Sequence, residues 1–176
     1  MLLKLFHQTL ANGQLFEYDI YKILTMDYNS AYKKAARLCG QQEHCCTDIK
    51  EKLVKWGSTP ETVKNVITNL VNEKFIDENR YAGFYARDKF KLNGWGKQRI
   101  IWNLRQKKIK DDIIQTAIKT IDQDEYEKKL LKMLQEKSEK IKDKVLAEKK
   151  AVIVTFASSR GFEMNEIMKL LKKIKE

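Results

Sequence analysis

One pattern occurs three times along the chain, and it limits the fold more than any other feature. The segments "DIKEKLVKWGSTPETVKNVITNL" from Asp48, "RIIWNLRQKKIKDDIIQTAIKTI" from Arg99 and "VIVTFASSRGFEMNEIMKLLKKI" from Val152 align on Gly57, Lys108 and Gly161. These anchors are 108 − 57 = 51 and 161 − 108 = 53 positions apart, a period in the range of helical arrays. Six places beyond each anchor stand Val63, Ile114 and Ile167; ten beyond, Ile67, Ile118 and Leu171; thirteen beyond, Leu70, Ile121 and Ile174. Steps of four and three place such side chains on one stripe of a helix, and an apolar stripe has to be buried. Before the anchors, Ile49 and Leu53, Ile100 and Leu104, and Ile153 and Ala157 repeat one helical turn apart. Ala31 and Ala35 return 51 positions later as Ala82 and Ala86, which adds a first helix to the unit. In the third copy the Lys-rich segment from Tyr126 to Ile141 takes that place.

Each unit therefore predicts three helices of about ten to fifteen residues joined by short turns. Glycine at 57 and 161 suits a left-handed helix end, and Lys108 accepts that conformation at greater cost. The expected architecture is all-α: an elongated tandem array of three three-helix repeats over 26–73, 74–122 and 123–176. Residues 1–25 form an extension in which "LFEYDIYKIL" alternates like a short strand or hairpin, and Met26 is a plausible alternative start. Asp77 is positioned as an N-cap, and Thr59 before Pro60 puts proline at the first helical position. Cys45 and Asp48 have capping-box spacing, but a thiol is a weak acceptor.

Composition agrees with this parsing. The chain has one proline in 176 residues and is 43% hydrophobic, which favours helix and argues against disorder. Its 35 Lys and Arg exceed 24 Asp and Glu, leaving a net charge of +11 and a field that attracts polyanionic or acidic partners. Three cysteines, Cys39, Cys45 and Cys46, make an odd number without a secretory leader, so a reduced, cytoplasmic setting is expected. "MLLKLFHQTL" is interrupted by Lys4, His7 and Gln8, and no segment is long enough to span a bilayer.

Catalytic chemistry finds little support. His44 beside Cys39, Cys45 and Cys46 lacks the spaced ligand pairs of a zinc site, so no metal or cofactor is expected. Phosphate loops, nucleophile elbows and His-Glu-x-x-His helices do not occur. Asp111 and Asp112, and the run from Asp122 to Glu125, fall at helix starts, where negative charge offsets the macrodipole by ~0.5 kcal/mol. The expectation is a binding protein rather than an enzyme.

The basic residues carry the functional reading. Lys50, Lys52, Lys55, Lys97, Arg99, Arg105, Lys107 and Lys108 recur on the second helices of the first two units, with Arg87 on the helix before. Ile100 and Leu104 face the core, whereas Trp102 lies about 200° round the helix from Ile100. An aromatic flanked by Arg99 and Arg105 suits a partner surface or a stacked base. A solvated basic face, with Trp102 packed on an adjacent repeat, is the competing reading. Trp56 shares the Leu53 face and is expected in the core, and Trp95 between Gly94 and Gly96 is expected to pin a turn.

The motifs "EHCCTDIKEKLVKWG", "FIDENRYAGFYARDKF", "GWGKQRIIWNLRQKKI" and "FASSRGFEMNEI", in this order, resemble those of RecX, the regulators of the bacterial recombinase RecA. The resemblance covers about residues 31–174, and "KWG" and "SRGFEM" look like the Bacteroidetes version. Cys45, Glu78 and Lys108 depart from the Ser, Asp and Gly usual in the family. The matched residues Glu43, His44, Asp77, Arg80, Arg160, Gly161 and Phe162 read as architectural, and the resemblance implies no catalytic residue. It implies an elongated, curved, monomeric helical protein in the groove of a RecA filament on single-stranded DNA. There it would restrain filament growth, ATP turnover, strand exchange and repressor cleavage in DNA repair and the SOS response. A free-standing nucleic-acid-binding protein is the alternative, and a nuclease using Asp111 and Asp112 ranks last.

Overall fold

The computed structural model describes residues 25–141 and 145–174; the strand or hairpin expected over 15–24 lies outside the described residues. Among the described residues every regular element is an α-helix. They are α1 (Tyr28–Gln41), α2 (Cys46–Lys55), α3 (Pro60–Asn72), α4 (Glu78–Lys91), α5 (Lys97–Gln106), α6 (Asp111–Lys119), α7 (Gln123–Glu139), α8 (Leu146–Ser159) and α9 (Met164–Leu171). This is an all-α helical repeat fold. The chain divides into two compact units, one ending at Asp77 and the other starting at Glu78. Helices α1–α3 pack on one another in the first; α4–α6 and α7–α9 form two such sets in the second.

The helix ends follow from local chemistry. Asp27 caps α1 by accepting the Ser30 N–H, 3.1 Å, and Thr59 caps α3 by accepting the Thr62 N–H, 3.2 Å, with Pro60 at its first position. Asp122 accepts the Glu125 N–H, 2.8 Å, at the start of α7. Cys45 precedes α2 without a side-chain cap bond, as a thiol's weak basicity implies. Asp111 and Asp112 occupy the first turn of α6, and α4 starts immediately after Asp77.

The repeated turn is the same in all three sets. Gly57, Lys108 and Gly161 adopt φ of 83°, 60° and 85°. In each, the residue after the anchor donates its N–H five residues back into the second helix: Ser58 to the Leu53 carbonyl, 3.0 Å, Ile109 to Leu104, 3.2 Å, and Phe162 to Ala157, 3.2 Å. This is the Schellman closure, and it reverses the chain into the third helix. Lys108 carries a Cβ in a conformation that disfavours one. Lys108→Gly is therefore expected to raise stability by about 1 kcal/mol, read from the urea unfolding midpoint; a lower midpoint would contradict it.

The cores follow the expected stripes with one adjustment. Ala31, Ala35, Ile49, Leu53, Val63, Val66, Leu70 and Ile76 form the core of the first unit, with Trp56 and Ile67 partly buried against it. In the second unit Ala82, Ala86, Ile100, Leu104, Ile114, Ile153, Ala157 and Ile167 are buried. Leu171 and Ile174, however, are only half-buried, whereas Leu170 is buried. Positions nine beyond the anchor, Val66, Ala117 and Leu170, are buried in every set. Helical geometry permits this. The positions six and thirteen beyond the anchor differ by only about 20°, and the ninth and tenth lie about 50° to either side of their mean direction, so both border the stripe.

Two sets in the second unit are joined through backbone. The first N–H groups of α5 lack intrahelical partners, and Gly96 before it supplies no side-chain cap. The Gly96 N–H instead donates to the Arg160 carbonyl, 2.8 Å, and the Gln98 N–H to the Gly161 carbonyl, 3.0 Å. Between them the Lys97 N–H donates to the Tyr126 hydroxyl, 3.1 Å, which itself donates to Glu163. Burial first, then the bond to Glu163, holds the Tyr126 phenol well above the ordinary tyrosine value, so it stays protonated and remains a donor. A Cβ on Gly96 would lie 2.2 Å from the Gly161 carbonyl oxygen, and one on Gly161 would lie 2.3 Å from the Arg99 Cβ.

Candidate functional site

Helix α5 owes its orientation to two constraints: Ile100 and Leu104 point into the core, and its N-terminus is held on the turn at Gly161. The opposite face is consequently presented to solvent. Trp102 is 60% exposed, and among the described residues no aromatic or cationic side chain covers its ring. Arg99 and Arg105, three residues to either side, are both exposed and so neighbour Trp102 on the helix surface. An exposed indole with an arginine three positions to either side offers a flat hydrophobic area among basic residues, and Trp and Arg are enriched at the energetic centres of interfaces.

The other basic candidates divide by what already holds them. The Lys97 ammonium donates to Gln123 Oε1, 2.7 Å, and sits 4.4 Å over the Tyr126 ring, so it serves the α5–α7 joint. Arg105 pairs with Asp111, Nε to Oδ1 2.8 Å; both are exposed, and such a pair contributes less than about 1 kcal/mol. Arg99 stacks on Trp95, 4.3 Å from the ring centre, and reaches the Ser159 carbonyl at 3.4 Å. Trp95 thus pins the turn between α4 and α5, with Lys89 5.3 Å from its ring. Lys107 lies 6.0 Å from the Tyr81 ring, Lys108 is exposed at its turn, and Arg87 stacks on the half-exposed Phe84 at 4.9 Å.

A chain of stacked rings and cations emerges that the sequence pattern did not disclose. Tyr81 stacks on Tyr85, 5.8 Å, Lys89 bridges Tyr85 and Trp95 at 5.3 Å each, and Arg99 closes on Trp95. The four-residue spacing of Tyr81, Tyr85 and Lys89 on α4 is the signal that points to it. In the first unit Lys50 and Lys55 are exposed and Lys52 is half-buried on α2, beside the exposed Val54.

The motif residues are placed as follows. His44 is buried between α1 and α2, with Nε2 3.2 Å from Gln42 Nε2 and Nδ1 3.9 Å from Asp48, and Glu43 beside it is half-buried. Asp77 is half-buried and Arg80 exposed. Phe162 is buried, 5.2 Å from the Tyr126 ring. Among the described residues no group of three or more His, Cys, Asp or Glu side chains could hold a metal ion, and Cys39, Cys45 and Cys46 are free thiols. Among the same residues no helix is long and apolar enough to cross a membrane.

A family profile described as RecX, second three-helix domain, matches residues 77–118, which contain α4, α5 and most of α6. The regulatory protein RecX of Pelodictyon phaeoclathratiforme is 29% identical over 142 residues, 78% of this chain and 84% of that protein. The chain is thus similar to RecX proteins along most of its length. The RecX protein of Clostridium tetani is 26% identical over 175 residues, 96% of this chain and 79% of that one. The crystal structure of RecX from Lactobacillus salivarius superposes with a TM-score of 0.75 at 18% identity, over 83% of this chain and 95% of that one. This last likeness bears on the fold alone. The Arg99–Trp102–Arg105 face falls inside the segment matched by the RecX profile.

Proposed function

We propose that this chain is a RecX regulatory protein that binds the RecA filament on single-stranded DNA and restrains its recombinase, ATPase and coprotease activities. It acts in the cytoplasm as a monomer, without cofactor or catalytic step. The observation that carries the reading is the exposed Trp102 between Arg99 and Arg105 on a helix whose other face and N-terminus are fixed by packing. A rigid mount lowers the ordering cost of binding, which makes such a face effective against a repeating partner. The net charge of +11 draws the chain towards exposed phosphate and acidic protein surface alike.

The test is a titration of this protein into recombinase hydrolysing ATP on single-stranded DNA. Inhibition is expected, and the concentration for half-inhibition should rise about tenfold in an Arg99→Glu, Trp102→Ala double variant. An unchanged ATPase at saturating addition would remove the proposal. Lys97, Arg99 and Arg105 each also hold contacts within the second unit, so Trp102→Ala alone, at an exposed ring, should raise the half-inhibition concentration in the same direction. The alternative, a free-standing nucleic-acid-binding protein, rests on the same charge. It requires tight DNA binding by the chain alone that weakens steeply with salt, since each neutralised phosphate releases counterions.

A further inference from the structure

The second unit holds a groove of about 390 Å³ that uses none of the exposed α5 face. Its wall on one side is the turn after α4; on the other are α7, α8 and Arg160. The floor and lip are apolar: Met133, Phe156 and Leu92, the last 81% exposed. Lys129, Lys137, Lys140 and Arg160 line it against a single acid, Glu136, which lies 3.9 Å from Lys132. A single exposed leucine is ordinary on a protein surface, but Leu92 lines the same groove as Met133 and Phe156, an apolar strip edged by cations.

Two of the cations are held in place by the ring in the floor. Arg160 stacks over Phe156 at 4.8 Å and Lys137 over the same ring at 5.2 Å. Arg160 also has its carbonyl tied to Gly96, so both ends of the residue are fixed. Its buried Nε finds no acceptor among the described residues, and a buried donor without a partner is costly until one arrives. Lys129 is the least available of the four. Its ammonium donates to the Lys91 carbonyl at 2.6 Å, and burial holds it below the usual lysine value.

We propose that this groove binds an acidic peptide segment that carries a large apolar side chain between carboxylates. The apolar side chain would rest on Leu92 and Met133, whose flexible thioether adapts to different shapes. Carboxylates would pair with Lys137, Lys140 and Arg160, whose guanidinium fork matches a carboxylate in two bonds. A nucleic-acid strand fits less well. Its backbone has no use for the apolar floor, and base stacking needs an open aromatic face, whereas two cations already lie over Phe156.

The test uses the full chain and a fluorescein-labelled peptide in which aspartates and glutamates flank a central Leu-Phe pair, read by anisotropy. Saturable binding is expected, about tenfold weaker for a peptide with Ser-Ser at the centre and for a Lys137→Glu, Lys140→Glu variant. Leu92→Asp should weaken it similarly, and Lys128→Glu, on the exposed side of α7, should not. Absence of peptide binding, or binding indifferent to both groove variants, overturns the proposal. So does binding of oligothymidylate, rather than of the peptide, that is lost on reversing Lys137 and Lys140, since that would assign the groove to nucleic acid. No recombinase is present in this assay, so its result stands whatever the ATPase titration gives.

Discussion

Gly96→Ala is expected to destabilise the second unit by about 3 kcal/mol, a large fraction of what holds a small domain folded. The cause is contact rather than backbone strain. Gly96 has an ordinary φ of −76°, so alanine is allowed there, but its methyl would have to occupy space 2.2 Å from the Gly161 carbonyl oxygen and 2.4 Å from the Phe162 nitrogen. Those are backbone atoms fixed by the Schellman turn, and they cannot swing aside as a side chain would. The two segments must separate, and separation breaks the Gly96 and Gln98 hydrogen bonds as well. The measurement is the urea unfolding midpoint, accompanied by native-state hydrogen exchange at Gln98. Gly83→Ala is the comparison: no atom lies within 4 Å of the added methyl, and its place inside α4 predicts a gain of about 0.5 to 1 kcal/mol. Equal effects of the two substitutions would mean that the close approach at Gly96 is not a real constraint.

Tyr126→Phe should cost about 2 kcal/mol although it leaves the buried ring in place. Phenylalanine keeps the contacts to Phe90 at 5.6 Å and Phe162 at 5.2 Å. Only the hydroxyl goes, and with it the acceptor for the Lys97 N–H and the donor to Glu163. Each of those groups is left short of a partner in a half-buried setting, and desolvation without compensation is the larger part of the cost. Thermal unfolding of Tyr126→Phe beside Tyr126→Leu separates the contributions: the leucine variant adds the loss of ring packing to the same loss of bonds. A Tyr126→Phe variant as stable as the parent would show that α5 does not depend on this cap.

The repeat was legible because each of its parts leaves a local mark. A glycine at 57 and 161 with an apolar residue six positions later reports both a left-handed turn and the helix that follows it. Even Lys108, the wrong residue type for the turn, was located by its period, and its φ of 60° matches those of its counterparts. Thr59 and Asp122 cap the helices they precede for the same reason: the bond spans three residues and is written in consecutive sequence. The burial of Val66, Ala117 and Leu170 was harder to read. Alanine at 117 gives a weak hydrophobic signal, and a stripe counted at steps of four and three passes over the ninth position, which borders it on the other side.

The joint between the second and third sets was not legible at all. It consists of backbone atoms from Gly96, Arg160 and Gly161, sixty-odd positions apart, and backbone bonds carry no residue-type signature. The glycines themselves were visible, as "GWG" and "SRGF", but each has a sufficient local explanation as a turn residue, which conceals that they touch. Much the same holds for the basic candidates. Sequence puts Lys97, Arg99, Trp102 and Arg105 on one helix and Trp102 away from its buried stripe, but leaves packing on an adjacent repeat open; the 60% exposure of Trp102 comes from the structure. The sequence does not reveal that Lys97 is engaged by Gln123 and Tyr126 or that Arg105 faces Asp111, because those partners come from the succeeding helices.

The central claim is that this chain recognises a recombinase filament as such, and co-sedimentation with a preformed filament tests it most directly. The account predicts that the chain pellets with the filament well above its level on the same single-stranded DNA without recombinase, and that an Arg99→Glu, Trp102→Ala variant largely remains in the supernatant. Equal pelleting with filament and naked DNA, lost in both on raising the salt, would contradict it.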